Sequence, residues 1–472
     1  MIQLSLAQVA AAVEGQILDS QSVDATGIFV TGSVETDSRL VTAGSLFFAK
    51  PGEVTDGHNF VAAAQDSGAV AAVVEREVSG ITIPQIVVDD SVLALGRLAA
   101  SVLQEVRAGG RLKVVGITGS NGKTTTKNML RAILSQVGPT VAPIESYNNE
   151  VGAPISVLKI DHQTQFLVAE LGAGGPGSIG YLAKMIRPDI GVELKVGMAH
   201  AGEFGGIETT AQIKAELLKE LGANSVAVLN ADDNHVRQMT IDIKGKAIWF
   251  GTSEGCDYSA SNYRLSLEGT SFDLHWPGGN TTPVRLQILG EHHVMNALAS
   301  AAVAHQLGVE PSMIVAALEA MPLAERWRME LTNCANGISI INDAYNASPD
   351  STKAALQTLA QLGRQTGRRT VAILGEMAEL GEFANQEHDS VGRTAVRLNI
   401  DLVIAIGPNA KLIYMGANLE GSYNGESQYL ESLNGALEQV RGMLRGGDIV
   451  LVKSSKSANL RHLGDQLVEV NA

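Results

Sequence analysis

The chain has 472 residues, a length that suits two to four domains. Its formal net charge of −15 argues against nucleic acids or anionic membranes as partners. The two cysteines, Cys256 and Cys334, provide neither a disulfide framework nor the paired spacing of a zinc site, so we expect free thiols in a reducing compartment. Because the first residues lack a basic leader with an apolar core, and no apolar run reaches about 18 residues, we expect a cytoplasmic protein without membrane insertion.

Helix-like and strand-like segments alternate along most of the chain, which is typical of α/β layers. Apolar residues at helical spacing predict a helix over 92–106, and the break at Gly109 places a domain boundary near that residue. Four short apolar runs after this break predict strands with helices between them, at 114–117, 166–169, 190–196 and 226–229. Such an order is typical of a mostly parallel sheet.

The pattern changes in the second half of the chain. Alternation over 257–288 predicts a small antiparallel excursion, and a helical pair follows over 291–320. Further strands then indicate a third, smaller α/β domain, at 338–341, 371–374, 402–406 and 449–452. The expected domains are 1–108, 109–323 and 324–472.

The sharpest local signal is the segment 116–126, Gly-Ile-Thr-Gly-Ser-Asn-Gly-Lys-Thr-Thr-Thr, between a predicted strand and a predicted helix. Glycines let backbone N–H groups surround a phosphate, and the helix N-terminus adds a partial positive charge. Lys123 would contact the β- and γ-phosphates and Thr124 would bind Mg²⁺. Ile117 stands where the standard motif has its first glycine, but Gly-Lys-Thr-Thr at this junction favours phosphate binding over an inert turn. We expect the Lys123 side chain to face solvent.

Two further residues are candidate metal ligands. Glu170 ends a predicted strand, and ligands of open parallel sheets bind beyond the carboxyl ends of strands. Its position alone is equally consistent with a solvated strand-end carboxylate. His200 follows the next strand, and by itself it is more typical of a loop histidine than of a ligand.

Lys214 lies on the apolar face of a predicted helix over 211–221. The arc around it is formed by Ala211, Ile213, Leu217, Leu218 and Leu221, whereas Lys219 falls on the polar side. A lysine in this position must extend to solvent, pair, or lose its charge, and the residues alone slightly favour extension to solvent at the sheet edge. If the side chain stays within the arc, we expect a lowered pKa.

Taken together, these residues resemble the Mur ligase family, and the likeness covers nearly the whole chain. The phosphate loop has the glycine spacing of that family. The resemblance therefore implies an ATP site formed by Gly119, Ser120, Asn121, Gly122, Lys123, Thr124 and Thr125. It also implies one Mg²⁺ on Thr124 and Glu170 and a second on His200 and a carbamylated Lys214, with Lys123, Lys214 and His200 as catalytic residues.

Three later segments resemble family segments that contact ATP. The block Gly-Glu-His-His-Val-Met-Asn-Ala at 290–297 implies that Asn296 contacts adenine. Arg328 matches an arginine that reaches the phosphates from the third domain, and Asp343 matches an aspartate that contacts the ribose. Within 342–349, the residues themselves predict a helix N-cap at Ser348 with proline at N1. That arrangement would leave Asp343 and the neighbouring Tyr345 free for other contacts.

The N-terminal segments 36–39, 44–52 and 56–60 resemble a UDP-sugar-binding domain, which implies that Ser38 and Arg39 contact that substrate. Asn149, within Tyr-Asn-Asn-Glu-Val-Gly-Ala-Pro, is implied to bind substrate as well. The segments 56–58 and 345–349 are most similar to the family member that joins D-alanyl-D-alanine to UDP-N-acetylmuramoyl-tripeptide in peptidoglycan synthesis. The implied fold is α/β with three domains: a UDP-sugar-binding domain, a P-loop ATPase domain with a mostly parallel sheet, and a Rossmann-like domain.

The implied reaction is phosphorylation of the peptide carboxylate by ATP, followed by attack of an amine on the acyl phosphate. Two segments depart from the family pattern: Glu-Leu-Lys-Val at 193–196 replaces a Thr-Asn stretch, and Lys-Ser-Ser-Lys-Ser at 453–457 replaces Lys-Gly-Ser-Arg. They leave the substrate contacts of the third domain open, and no side chain identifies itself as the base for the amine. A monomer is expected. The alternatives are a folylpolyglutamate synthase or another Mur step, a small-molecule kinase, and a nucleotide-binding switch.

Overall fold

The computed structural model describes residues 1–18, 27–52, 55–143, 146–198, 201–239, 243–321, 326–421 and 426–471. Within these ranges, sheets of five, nine and six strands follow one another along the chain, and a two-stranded pair lies near the N-terminus. Each large sheet lies within one of the three domain ranges expected from the sequence. The bounds of those domains stay a prediction, and the expected boundary at 323/324 lies outside the described residues.

The N-terminal elements form a five-stranded sheet with helices against it. They are β1 (Leu4–Ser5), α1 (Leu6–Val13), β2 (Gln16–Leu18), β3 (Phe29–Val30), β4 (Val34–Glu35), β5 (Leu46–Phe48), α2 (Val61–Asp66), β6 (Ala71–Val74), β7 (Gln85–Val87) and α3 (Ser91–Ala108). The strand order is β2-β7-β6-β5-β4, with only the β2–β7 pair antiparallel in the described part of this sheet. The β5 and β6 strands are buried apolar runs because both faces of the sheet are covered.

Helix α3 confirms the predicted helix and connects the first sheet to the second. It begins at an Asp90 cap, whose Oδ1 accepts hydrogen bonds from the N–H groups of Val92 and Leu93. Its apolar face belongs to a single core that includes side chains of both sheets. Arg107 in its last turn pairs with Asp189 of the following domain at 3.0 Å. These contacts fix the first sheet against the second.

The central elements form the nine-stranded sheet. They are β8 (Lys113–Thr118), α4 (Lys123–Leu134), β9 (Thr140–Val141), α5 (Gly152–Val157), β10 (Phe166–Glu170), α6 (Ser178–Ile186), β11 (Ile190–Glu193), α7 (Ala201–Phe204), α8 (Ile207–Lys219), β12 (Val226–Asn230), α9 (Asn234–Gln238), β13 (Lys246–Gly251), β14 (Tyr258–Ser266), β15 (Gly269–His275), β16 (Thr281–Leu286), α10 (His292–Gln306) and α11 (Pro311–Ala320). The order is β16-β15-β14-β13-β12-β11-β8-β10-β9.

The topology of this sheet confirms the sequence prediction. Strands β8 to β14 are joined by parallel pairings, and β14, β15 and β16 form the predicted antiparallel excursion. The strand predicted over 190–196 is too long, since β11 ends at Glu193. Beyond Glu193 the chain turns toward the phosphate loop, where the Lys195 carbonyl accepts a hydrogen bond from the Ser120 N–H at 2.7 Å.

The C-terminal elements form the six-stranded sheet. They are β17 (Glu330–Asn333), β18 (Ser339–Asn342), α12 (Pro349–Thr366), β19 (Thr370–Leu374), α13 (Ala384–Arg397), β20 (Leu402–Ile406), α14 (Lys411–Glu420), β21 (Ser427–Leu430), α15 (Ala436–Met443), β22 (Ile449–Lys453) and α16 (Leu460–Asn471). The order is β17-β18-β22-β19-β20-β21, and all described pairs except β17–β18 are parallel. The last strand, β22, lies between β18 and β19. This order gives the Rossmann-like topology that was expected.

Across the described ranges, none of the helices combines enough length with enough apolar character to cross a bilayer.

Candidate active site

A cavity lies where the carboxyl ends of central strands β8 and β10 meet the C-terminal sheet. Ten residues predicted from the sequence line it together: Ser120, Asn121, Gly122, Lys123, Thr124, Thr125, Glu170, Asn296, Arg328 and Asp343. They come from segments separated by as many as about two hundred residues of chain. The location agrees with the rule that open parallel sheets bind ligands beyond the carboxyl ends of their strands.

The phosphate loop connects β8 to α4. Gly122 has φ +89°, and a Cβ atom there would clash with the Asn296 Oδ1 atom, so both the backbone and the space require glycine. The Lys123 Nζ atom donates to the Gly119 carbonyl at 2.8 Å. Our expectation that Lys123 faces solvent is wrong. It is the first residue of α4 and half-buried, and burial lowers its pKa while the Glu170 charge opposes that effect.

Glu170 lies beside this loop as a buried carboxylate. Its side chain is 1% exposed, which contradicts the alternative of a solvated strand end. Thr124 Oγ1 donates to one carboxylate oxygen at 3.1 Å, and Asn148 Nδ2 donates to the other at 2.8 Å. A hydroxyl and a carboxylate in contact form the type of oxygen donor set that Mg²⁺ prefers.

Two neighbouring asparagines precede α5, and only one of them lines the cavity. Asn149 was predicted to bind substrate, but it is exposed and its Oδ1 atom accepts hydrogen bonds from the N–H groups of Val151 and Gly152 before α5. Asn148 lines the cavity instead. Sequence reasoning missed Asn148 because two consecutive asparagines carry the same local signal and only the turn decides which one points inward.

Lys214 is buried on the apolar face of α8. It is 3% exposed, so extension to solvent is excluded, whereas Lys219 on the opposite side is exposed. Burial lowers the pKa of Lys214 to about 7, the Lys123 charge adds to this effect, and Glu193 opposes it. The predicted pKa depression is confirmed, although Lys214 is not among the described residues that line the cavity.

The proposed second metal site is only partly described. His200 lies outside the described residues. Among the described residues there is no cluster of three or more His, Cys, Asp or Glu side chains that could hold a metal ion. A metal held by this chain therefore needs other donors as well, such as the Thr124 hydroxyl, a modified lysine or ligand phosphates.

The third-domain residues Arg328, Asp343 and Tyr345 reach the cavity, where they make contacts of their own. Asp343 Oδ2 accepts from the buried Lys453 Nζ at 2.6 Å, and Asp343 Oδ1 accepts from the Met329 N–H at 3.0 Å. The Tyr345 ring lies under the Arg328 guanidinium group at 4.1 Å. Ser348 and Ser351 form the cap of α12, so the prediction that capping leaves Asp343 and Tyr345 free for other contacts is confirmed.

The start of α12 connects the C-terminal sheet to the phosphate loop. Ser348 caps the helix, Pro349 occupies the first turn, and both predictions are confirmed. Ser348 Oγ lies 3.2 Å from Asn121 Oδ1, and Asp350 Oδ2 accepts from the Met198 N–H at 3.1 Å. These two contacts join the third domain to the central domain beside the phosphate loop.

Two histidines in the cavity were not predicted as site residues. The rings of His292 and His293 are 4.1 Å apart at the start of α10, and both contribute to the cavity lining. Burial lowers the pKa of His292 to about 4 and holds the pKa of His293 well below its ordinary value, so both are neutral at pH 7. Their only sequence signal was their place in the same block as Asn296.

Ser38 and Arg39 lie in the N-terminal sheet region and outside this cavity. Asp37 caps the short 3-10 turn that contains them and binds the Arg39 guanidinium group, whose side chain is 86% exposed. Nearby, His58 Nδ1 is 2.6 Å from Asp56 Oδ1, and its Nε2 accepts from the Glu75 N–H at 2.9 Å. His58 therefore supports the loop, and the assignment of Ser38 and Arg39 to substrate stays a prediction.

The fold and cavity are those of a three-domain enzyme with a phosphate loop facing a Rossmann-like domain. Three family models match the chain: "Mur ligase family, catalytic domain" over 31–102, "Mur ligase middle domain" over 117–304, and "Mur ligase, glutamate ligase domain" over 327–456. Curated relatives match it over nearly full length. The chain belongs to the Mur ligase family.

Known proteins resemble the chain from end to end. It is 40% identical to the UDP-N-acetylmuramoyl-tripeptide–D-alanyl-D-alanine ligase of Mycobacterium bovis, covering 99% of this chain and 98% of that protein. A crystal structure of MurF from Acinetobacter baumannii superposes with a TM-score of 0.89 at 32% identity, covering 99% of both chains. MurF from Thermotoga maritima in complex with ADP superposes at 0.79 with 27% identity, covering 94% of this chain and 99% of that one.

Proposed function

We propose that this chain joins D-alanyl-D-alanine to UDP-N-acetylmuramoyl-tripeptide with ATP, giving UDP-N-acetylmuramoyl-pentapeptide, ADP and phosphate in peptidoglycan synthesis. The observation that carries the proposal is the cavity itself, in which Lys123, Thr124 and Glu170 of the central domain face Arg328 of the third. The substrates are proposed from the full-length similarity to ligases of that name.

The nucleotide would bind along the phosphate loop. Backbone N–H groups from Gly119 to Lys123 and the N-terminus of α4 suit the phosphates, with the Ser120, Asn121 and Thr125 side chains beside them. Asn296 would contact the adenine and Asp343 the ribose, and the hydrogen bond from Lys453 would hold the Asp343 carboxylate in position. The Lys123 ammonium group would offset charge on the γ-phosphoryl group as it transfers.

Two Mg²⁺ ions are proposed, one on Thr124 and Glu170 and the other on His200 and a carbamate of Lys214. When bound, these ions neutralise the phosphate charge. A lysine with a pKa near 7 is partly neutral at physiological pH. Its nitrogen lone pair can form a bond to the carbon of CO₂, after which the nitrogen loses a proton to solvent and a carbamate anion remains.

Ligation proceeds through two displacements. The terminal carboxylate of the UDP-linked peptide attacks the γ-phosphorus, and the bond to ADP breaks to leave an acyl phosphate. The dipeptide amine then attacks the acyl carbon and phosphate leaves. Arg328 reaches this centre only when the third domain is closed, so closure assembles the site and excludes water.

The remaining substrate contacts are also proposals. Ser38 and Arg39 are assigned to the UDP-sugar, and the exposed Asn149 is kept as a second contact for that substrate. The enzyme would act as a monomer in the cytoplasm, where ATP and UDP-linked precursors are available.

The deciding experiment measures ADP release with ATP, Mg²⁺ and a panel of acceptors. We expect turnover that requires both UDP-N-acetylmuramoyl-tripeptide and D-alanyl-D-alanine, with pentapeptide as product. ADP release without the dipeptide, accompanied by a stable phosphorylated acceptor, would show a kinase. Turnover with a folate and glutamate would show a folylpolyglutamate-type ligase, and nucleotide binding without any product would show a switch.

A further inference from the structure

Glu193 is a buried carboxylate for which the reaction above has no role. It is the last residue of β11, paired in register with Thr118 just before the phosphate loop. Its side chain is 0% exposed, and neither carboxylate oxygen has a hydrogen-bond partner among the described residues. A buried carboxylate is normally paired or bound to metal, so this one requires a partner.

The strand geometry shows what Glu193 faces. A Cβ atom on Gly191 would lie 3.0 Å from Leu221 and 3.4 Å from Leu217, so this face of β11 packs on α8. Glu193 is two residues further along the same face. Lys214 is one helical turn before Leu217 on the same stripe of α8. The two buried ionisable groups therefore face each other at the carboxyl end of the sheet.

A simple ion pair does not account for this arrangement. If Lys214 alone satisfied Glu193, its ammonium group would donate directly to a carboxylate oxygen, yet both oxygens lack a donor. A divalent cation between the two groups would supply the missing partner.

We propose that Glu193 is an additional oxygen ligand for the divalent cation that the Lys214 carbamate holds. The inference rests on the proposed carbamate for its second anion. Carbamate and carboxylate together carry two negative charges, which one Mg²⁺ balances. Glu193 belongs to the segment 193–196 that departs from the family pattern, so this ligand is a property of the present chain.

A linkage between metal and CO₂ follows. Without metal, a carbamate on Lys214 and a carboxylate on Glu193 would lie side by side with no cation between them, so carbamylation is opposed. With metal, both anions are neutralised and carbamylation becomes favourable. By thermodynamic reciprocity, CO₂ must then strengthen metal binding by the same factor.

The test compares wild type with Glu193→Gln, which keeps the shape and removes the charge. Carbamate is measured by NMR of protein equilibrated with ¹³C-bicarbonate, with and without Mg²⁺, and Mn²⁺ binding is measured by EPR in the presence of ADP. We expect the wild-type carbamate signal to depend strongly on Mg²⁺ and Glu193→Gln to lose that dependence. Affinity for the second Mn²⁺ should fall about tenfold or more, and Glu193→Asp should recover part of it.

Wild-type Mn²⁺ affinity in Glu193→Gln, or an unchanged Mg²⁺ dependence of its carbamate, would overturn the assignment. Absence of carbamate in wild type, together with weakened Mn²⁺ binding in Glu193→Gln, would support Glu193 as a ligand and remove the carbamate from the proposed function. Neither the NMR nor the EPR measurement uses ligase turnover. A failure of the proposed reaction would therefore appear only in the turnover assay. Unchanged thermal unfolding of both variants controls for the fold.

Discussion

The double variant Lys214→Met, Glu193→Leu tests the electrostatics of the site in protein freed of metal and CO₂, because both replacements are apolar. Burial lowers the pKa of Lys214 from 10.5 to about 7, so between those pH values the unfolded chain binds the extra proton and stability rises with pH. Burial raises the pKa of Glu193 from 4.5 to about 8, so between those values the folded protein binds the extra proton and stability falls with pH.

Together the two pKa shifts lower the free energy of unfolding most between pH 7 and 8. Below pH 7 Lys214 is charged in both the folded and the unfolded chain, and above pH 8 the same holds for Glu193. Only the other group then differs between the two states, so the loss of stability shrinks by about 1.4 kcal/mol per pH unit away from this range. Replacing two facing buried ionisable groups by apolar side chains of similar size typically stabilises a protein by about 1–4 kcal/mol. We therefore expect the double variant to be more stable than wild type by about that amount near pH 7.5, with a smaller gain at pH 6 and pH 9.

Urea unfolding followed by tryptophan fluorescence measures this difference. The three tryptophans are divided between domains, since Trp249 and Trp276 lie in the central sheet region and Trp327 precedes β17. A Trp327→Phe background therefore reports on the central domain. Lys219→Met, on the exposed side of the same helix, is the matched control and should change stability by less than about 0.5 kcal/mol at every pH.

A double variant that is no more stable than wild type at pH 7.5, or a stability difference that stays constant from pH 6 to pH 9, would refute the reasoning. Either result would show that the two groups keep their charges at no cost inside the fold. The more stable double variant should still be inactive, because it has lost the proposed anions of the second metal site.

Four further outcomes are expected. Lys214→Ala should be nearly inactive, and short-chain carboxylates should restore part of the turnover; full activity without them would contradict the proposed metal site. Lys123→Ala should abolish turnover with unchanged circular dichroism, because the amine is half-buried but packs in no core cluster; retained turnover would contradict the ATP assignment. Gly122→Ala should cost at least about 1–2 kcal/mol in thermal unfolding, since its φ is +89°, and wild-type stability would show that the loop relaxes. Small-angle scattering should show compaction with an ATP analogue and UDP-peptide, and unchanged dimensions with a fully active Arg328→Ala would contradict the closure argument.

Local sequence patterns were sufficient for the phosphate loop and for several strands of the central and C-terminal sheets, but they left the strands of the N-terminal sheet unpredicted. The strand and helix periodicities around β8, β10 and α3 repeat within a few residues, so they can be read without knowledge of the fold. The lowered pKa of Lys214 was predictable for the same reason, because the helical arc that buries it lies within 211–221. The family resemblance added the proposed roles of Asn296 and Arg328, which no local pattern contains.

Tertiary structure decided which polar groups meet. Asn148 and not Asn149 faces Glu170, because a turn before α5 uses the second asparagine. Asp343 is committed to Lys453, which lies 110 residues away in the chain. The strand that carries Glu193 reads simply as an apolar run with a departure at its end, and only the packing of β11 on α8 places that carboxylate opposite Lys214. Contacts between distant segments depend on how the layers pack and on which buried charges require partners, and the periodicity of a single segment contains neither.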